Sequence, residues 1–303
     1  MEISTIIDRL ADAEDLPEDA IRAAREQRAA AAPAFVDLVE RYLAGEPDAE
    51  EREGALFYLF HLLGEWREKT AYRPLARLLA IDADEVNGLL GDATASTAHR
   101  VMAAVFDGDP RPLYEVIEAE HADPFVRSRM LEALAMLALR GELERGEVAR
   151  YLRDAFSSLK PHSTNFVWFG WQSAIAALGL EELSSLVEKA FARGLIDPMD
   201  MRFADYQSDL KHALAHPESP WRVAAPNEFA PFEDTLEELS SRYAFSADVD
   251  EAEDDWAGIR GVRTGKQSLQ GRRPQRRLSL RQRQEVQEVL SGVALPLSRP
   301  ARP

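Results

Sequence analysis

The sequence predicts an all-α protein, an α-solenoid of stacked helix pairs followed by a disordered C-terminal tail. Apolar residues recur at helical spacing almost everywhere up to about residue 244, and no run alternates like a β-branched-rich strand. Prolines and glycines stand where helices should begin and end. A repeat is also visible. Tyr72-Arg73-Pro74-Leu75-Ala76-Arg77-Leu78-Leu79 echoes Pro110-Arg111-Pro112-Leu113-Tyr114-Glu115-Val116-Ile117, with the Pro-Leu pairs 38 positions apart. Gly64, Gly141 and Gly179 mark turns at one or two such periods.

The elements follow in order. The apolar spacing predicts a first helix over 3–12, and Pro17 and Pro33 open the next two, over 17–29 and 33–44. Further helices are expected over 49–66, 71–80, 83–90, 95–106 and 110–121. Asp123-Pro124 supplies a cap and a first-turn proline for 123–140, which Gly141 ends; 145–158 and 164–178 follow, the latter closed by Gly179. Helices over 181–193, ended by Gly194, and over 199–215, begun by Asp197-Pro198, complete the array. A period of 38 to 40 residues with two helices per unit is that of HEAT-type or armadillo-type solenoids, whose units bury their apolar faces only against neighbours.

Composition bounds the function. The 303 residues carry 46% hydrophobic side chains, enough for a sizeable core, and a formal charge of −17, which argues against a generic nucleic-acid binder. The absence of cysteine excludes disulfides, thiol catalysis and thiolate metal sites, and six scattered histidines leave little for an imidazole site. Met1-Glu2-Ile3-Ser4-Thr5 lacks the features of a signal peptide and no stretch approaches a membrane span, so a cytoplasmic location is expected.

Three segments are expected: a helical-repeat domain over 1–216, an irregular segment with one helix and an acidic run over 217–256, and a basic tail over 257–303. Pro217, Pro220, Pro226 and Pro231 punctuate the second, which then forms a helix over 232–243 before the acidic run from Asp248 to Asp255. The charge then reverses: residues 1–256 carry −26 and residues 257–303 carry +9.

No constellation specifies a reaction, and no catalytic, cofactor-binding or metal-ligating residue is assigned. Phe166-Val167-Trp168-Phe169-Gly170-Trp171 could line a pocket, but aromatics at helical spacing are usually core. His61 has no second histidine or fixed carboxylate at ligand spacing and reads as a core or groove residue. His212 and His216 share a helical face, yet no glutamate completes an H-E-x-x-H pattern and Pro217 ends the helix. Asp107-Gly108-Asp109-Pro110 holds too few carboxylates for a calcium loop and reads as a cap.

The tail admits two readings. Arg272-Arg273-Pro274-Gln275-Arg276-Arg277 reads at face value as an anion-binding patch, although it lacks interleaved aromatics. Alternatively it is translated out of frame. Arginine outnumbers lysine by 31 to 5, the mark of a GC-rich coding sequence, and with GC-rich codons a one-base shift across residues 273–290 spells G-R-N-D-A-C-P-C-G-S-G-K-K-Y-K-K-C-C. That string resembles the SEC-C zinc motif of many bacterial proteins, whose two thiolate pairs close a tetrahedral shell. In the chain itself those positions read Leu278, Leu280, Val289 and Leu290, so zinc is expected only if the shifted frame is restored.

With the motif in view, the helical region resembles the bacterial family catalogued as domain of unknown function 1186. The carriers are Leu16-Pro17-Glu18-Asp19-Ala20-Ile21, Leu63-Gly64-Glu65-Trp66-Arg67-Glu68, Ala104-Val105-Phe106-Asp107-Gly108-Asp109 and Glu233-Asp234-Thr235-Leu236-Glu237-Glu238-Leu239. The resemblance implies a HEAT-like fold and a zinc module without a reaction. The expected function is a protein–protein interaction scaffold or adaptor with an unknown protein partner and neither nucleic acid nor membrane; the alternative is a small-ligand receptor or enzyme using a groove near His61 and Trp168. The frameshift predicts TGY at the shifted positions of Leu278, Leu280, Val289 and Leu290. Resequencing the gene decides this, and any other bases there return the tail to an anion-binding extension.

Overall fold

The computed structural model describes residues 1–221 and 228–240. The acidic run, the basic tail and the end of the helix expected over 232–243 lie outside the described residues. Among the described residues the architecture is all-α, with no strand.

The chain enters through α1 (Ile3–Ala11), α2 (Glu18–Glu26), α3 (Arg28–Leu43) and the single turn α4 (Pro47–Glu50). It continues through α5 (Leu56–Glu65), α6 (Tyr72–Leu79), α7 (Ala83–Leu90), α8 (Ala93–Ser96), α9 (Ala98–Ala104) and α10 (Arg111–Glu118). The last five helices are α11 (Pro124–Leu139), α12 (Arg145–Ser158), α13 (Val167–Ala177), α14 (Ser184–Ala192) and α15 (Phe203–Ala215).

From α3 onward the helices stand in two rows. In one, α5 packs on α9, α9 on α11, α11 on α13 and α13 on α15. In the other, α3 packs on α6 and α6 on α10; Tyr114 of α10 then stacks on Tyr151 of α12, and α12 meets α14. Successive pairs such as α10 with α11 and α12 with α13 join the rows. The echo around Pro74 and Pro112 is therefore two neighbouring helices of one row, α6 and α10, doing the same job.

Helices of the α5 row have neighbours on nearly every side, so their sequences lose amphipathic striping. In α11 every residue from Val126 to Ala138 except Arg129 is buried. Gly170 of α13 lets the row close up, because a Cβ there would lie 2.3 Å from the Ser128 carbonyl oxygen of α11. Gly64 acts similarly against Val101, whose methyls stand 3.0 Å from where its Cβ would be.

Several expected boundaries need correcting. Pro33 does not open a helix: the break falls at Gln27 (φ −113°, ψ 24°), and α3 runs through the proline, held by buried Phe35, Leu38 and Val39. The helix expected over 49–66 is interrupted by a 3₁₀ turn, Glu53–Ala55, where Gly54 presses so close to Ala11 that a Cβ would lie 2.4 Å from its carbonyl oxygen. The helix over 95–106 breaks at Thr97. Gly64 is the penultimate residue of α5 and a close contact with Val101, not the turn residue itself. The left-handed residue that ends α5 is Arg67 (φ 51°), whose N–H bonds Gly64 while Glu68 N–H reaches back to Leu63.

The close approach of α11 and α13 sets a stability prediction. Gly170→Ala should cost about 3 kcal/mol or more in urea unfolding, because the methyl meets backbone. Gly146→Ala, where a Cβ meets open space inside α12, should be neutral or stabilising by up to about 1 kcal/mol. Equal midpoints for the two variants would contradict this packing.

Candidate functional site

The α5 row is covered in part by the chain's own residues 228–240. This strap runs against the order of the row, from α11 and α9 back to α5 and α2. Its residues 235–240 are helical, and Phe232, Thr235, Leu236 and Leu239 are buried.

The helix α9 provides the centre of the site. It is seven residues long and buried from Ala98 to Ala103, which leaves the successive polar residues His99 and Arg100 no route to water. Arg100, only 6% exposed, donates Nε to the Ala230 carbonyl at 2.9 Å and a terminal nitrogen to Glu238 Oε2 at 2.6 Å. Its guanidinium also lies 5.3 Å from the Phe232 ring centroid, an anchor that faces His61 on its other flank at 5.6 Å. His99 Nε2 stands 2.6 Å from the Glu228 carbonyl, which assigns the proton to that nitrogen, and the ring packs edge-on against Phe229. Phe229 in turn stacks on Trp221 at 3.8 Å.

Each end of the strap is held by charge. Arg129 of α11 pairs with Glu132 at 2.6 Å and with Glu228 of the strap at 3.2 Å. At the other end Arg25 of α2 bridges Glu65 and Asp234, both at 2.7 Å, and Glu65 Oε2 accepts the Thr235 N–H at 2.8 Å. Asp234 then accepts the Glu237 N–H at 3.0 Å, capping the helical residues 235–240. Burial pushes its carboxyl up, but the hydrogen bonds from Glu237 and Arg25 prevail and hold it below the usual aspartate range.

Four arginines thus meet four carboxylates of the strap, with Arg67 and Glu233 the loosest pair at 4.0 Å, while carbonyls of Glu228 and Ala230 accept from side chains of α9. This is chemistry for holding a chain segment. The site's two imidazoles each bond a backbone carbonyl. His61 is fully buried; its Nδ1 donates to the Phe57 carbonyl at 2.7 Å and its Nε2 accepts from the Thr97 hydroxyl at 3.0 Å.

The other residues singled out from sequence lie elsewhere. Trp168 and Trp171 are fully buried and donate their indole N–H to the Pro161 and Leu152 carbonyls. Since α9 and α11 stand between α5 and α13, His61 and Trp168 do not share a groove. Asp109 accepts the Arg111 N–H and pairs with Arg73 and Arg111, whose bonds hold its carboxyl far below the usual range. The rings of His212 and His216 lie 4.7 Å apart, His212 against the Ser219 carbonyl and His216 against Glu218. Among the described residues no group of three or more histidine or carboxylate side chains is placed to hold a metal. A cavity of about 300 Å³ opens between α14 and α15, lined by Ser184, Phe203, Tyr206, Leu210, Lys211 and Leu214, and none of the sequence candidates lines it. No described helix is long and apolar enough to cross a membrane.

Sequence reading missed Arg25, His99, Arg100 and Arg129. A signal existed for two of them: His99-Arg100 interrupts a short helix otherwise apolar enough to be buried on every side.

The family described as protein of unknown function (DUF1186) matches residues 1–245, and the chain belongs to that family. It is similar to an uncharacterized protein of Chlamydia trachomatis and to another of Chlamydia muridarum. Each is 28% identical over 212 residues, which cover 69% of this chain and 84% of the relative. No solved structure matches.

Burial, with Arg129 and Arg100 close by, holds the His99 imidazole well below its ordinary 6.5, so the folded chain keeps it neutral. An unfolded chain takes up that proton, so the stability His99 contributes above pH 6.5 is lost as the pH falls below it. Between pH 6.5 and 5, wild type should therefore lose up to about 1.4 kcal/mol per pH unit more than His99→Gln in urea titrations. Parallel pH profiles for the two chains would contradict the neutral, buried assignment.

Proposed function

We propose that this chain is a protein–protein interaction scaffold, a HEAT-like α-solenoid that works by holding a segment of another protein against its rows of helices. The observation that carries the reading is the strap: the α5 row already holds a stretch of polypeptide through arginine–carboxylate pairs, side-chain-to-carbonyl bonds and one aromatic anchor. Stacked helices supply such surfaces because each unit leaves one edge of its pair open along the stack. The commitment of His61 and Trp168 to internal carbonyls supports binding over catalysis. In the same proposal the chain works in the cytoplasm, and its residues 273–290 are the out-of-frame remnant of a SEC-C zinc module that would have extended the scaffold. The codons that decide the frame decide this part of it.

A photoreactive amino acid tests the scaffold in cells. Introduced at Arg67, beside the strap, or at exposed Glu115 of α10, it should capture a discrete second protein from at least one position. Adducts confined to the chain itself, or none from either position, would overturn the scaffold.

A further inference from the structure

We propose that residues 228–240 are a resident ligand of the groove over α5, α9 and α11, and that the groove receives in their place a partner segment of the same chemistry. That segment is acidic, carries a phenylalanine two residues ahead of an aspartate helix cap, and places carboxylates before and after it. The inference rests on the scaffold reading and names its site and its class of partner.

The recognition code is read from the strap. The carboxylate of Glu228 answers Arg129, and Phe232 fills the space between Arg100 and His61. Asp234 answers Arg25 and caps the following turn, whose first N–H is taken by Glu65. Glu238 returns to Arg100 from the next turn, with Leu236 and Leu239 buried between these polar fixings. Three of the groove's contacts fall on strap carbonyls, which any segment supplies, so selectivity rests on the phenylalanine and the spacing of the carboxylates.

What marks this contact as a docked segment is its fixing by arginine–carboxylate pairs at Arg25, Arg67, Arg100 and Arg129. These charged fixings reach water when the segment leaves, since the arginines then regain solvent instead of remaining buried and unpaired.

The test uses the full chain and a fluorescent peptide of residues 226–241, followed by anisotropy. Wild type, its groove filled, should bind the peptide weakly. A full chain carrying Phe232→Ala with Asp234→Ala should bind at least about tenfold tighter, because a larger fraction of molecules presents an open groove. Arg100→Ala in that loosened chain, or Phe232→Ala in the peptide, should remove the gain. Should the loosened chain fail to fold by circular dichroism, a chain with a protease site in place of residues 222–227, nicked after folding, takes its place: labelled peptide should exchange into it. No binding to a folded loosened chain, or no exchange in the nicked one, overturns the proposal. Dimerisation that competes with the peptide would assign the groove to a second copy and overturn the partner assignment. A chain that rejects the peptide yet still captures a protein from Arg67 or Glu115 keeps the scaffold and loses this site.

Discussion

Arg100 sits where a cation has no access to water, and the arrangement around α9 follows from what its guanidinium requires. A buried guanidinium is tolerated only when its donors meet acceptors and its charge meets an opposite charge. The acceptors that meet Arg100 do not come from α9, and neither neighbour in its row supplies it a carboxylate. Ala230, Pro231 and Glu238 provide the acceptors from about 130 residues further along the chain. Strap and cation therefore stand or fall together: with the strap in place the charge is compensated, and with the strap gone the charge is hydrated.

The same requirement recurs at the seams between helix pairs. Short helices leave many C-terminal carbonyls without intrahelical donors, and a stack of short helices multiplies them. Arginines of nearby elements take up that role here. Arg28 of α3 donates to the Trp66 carbonyl at the end of α5, and Arg145 of α12 donates to the Leu178 carbonyl at the end of α13. Arg127 of α11, 1% exposed, donates to the Ile117 carbonyl of α10 and to Lys160, with burial lowering its pKa since no carboxylate bonds it. The guanidinium fork suits this work because it offers several directed donors at once and keeps its proton in apolar surroundings. A lysine has one compact head and would serve a single seam less well.

What the sequence disclosed, and what it did not, divides along the range of the forces involved. The helix over 145–158 is found at those limits because its boundaries are set locally, and the repeat around Pro74 and Pro112 becomes a pair of adjacent helices for the same reason. Pro33 and Gly64 mislead because their local meaning yields to packing: Phe35 and Val39 carry α3 through the proline, and Val101 requires the absence of a Cβ at Gly64. Arg67 shows the converse, a left-handed cap with no glycine to announce it. The site was the least legible part. Its groups pair with the strap across 99 to 209 positions, from Arg129 to Glu228 and from Arg25 to Asp234, and no periodicity records such pairings.

The family match runs to residue 245 and so takes in residues 228–240 together with the helices they cover. A row of helices that ended at α15 would leave His61, His99 and Arg100 along an uncovered groove, an apolar and cationic surface poorly suited to water. Covering it with a segment of thirteen residues instead of another helix pair has a physical consequence. A helix pair would contribute a continuous apolar face, whereas the strap contributes three apolar anchors, each worth roughly 1.5–3 kcal/mol, set against orphaned polar atoms that cost about 1–3 kcal/mol each. The balance is left to the ion pairs at Arg25, Arg100 and Arg129, whose strength depends on the segment being present at the right spacing. A cover held in that way is fixed by the spacing of its carboxylates as much as by the apolar area it buries.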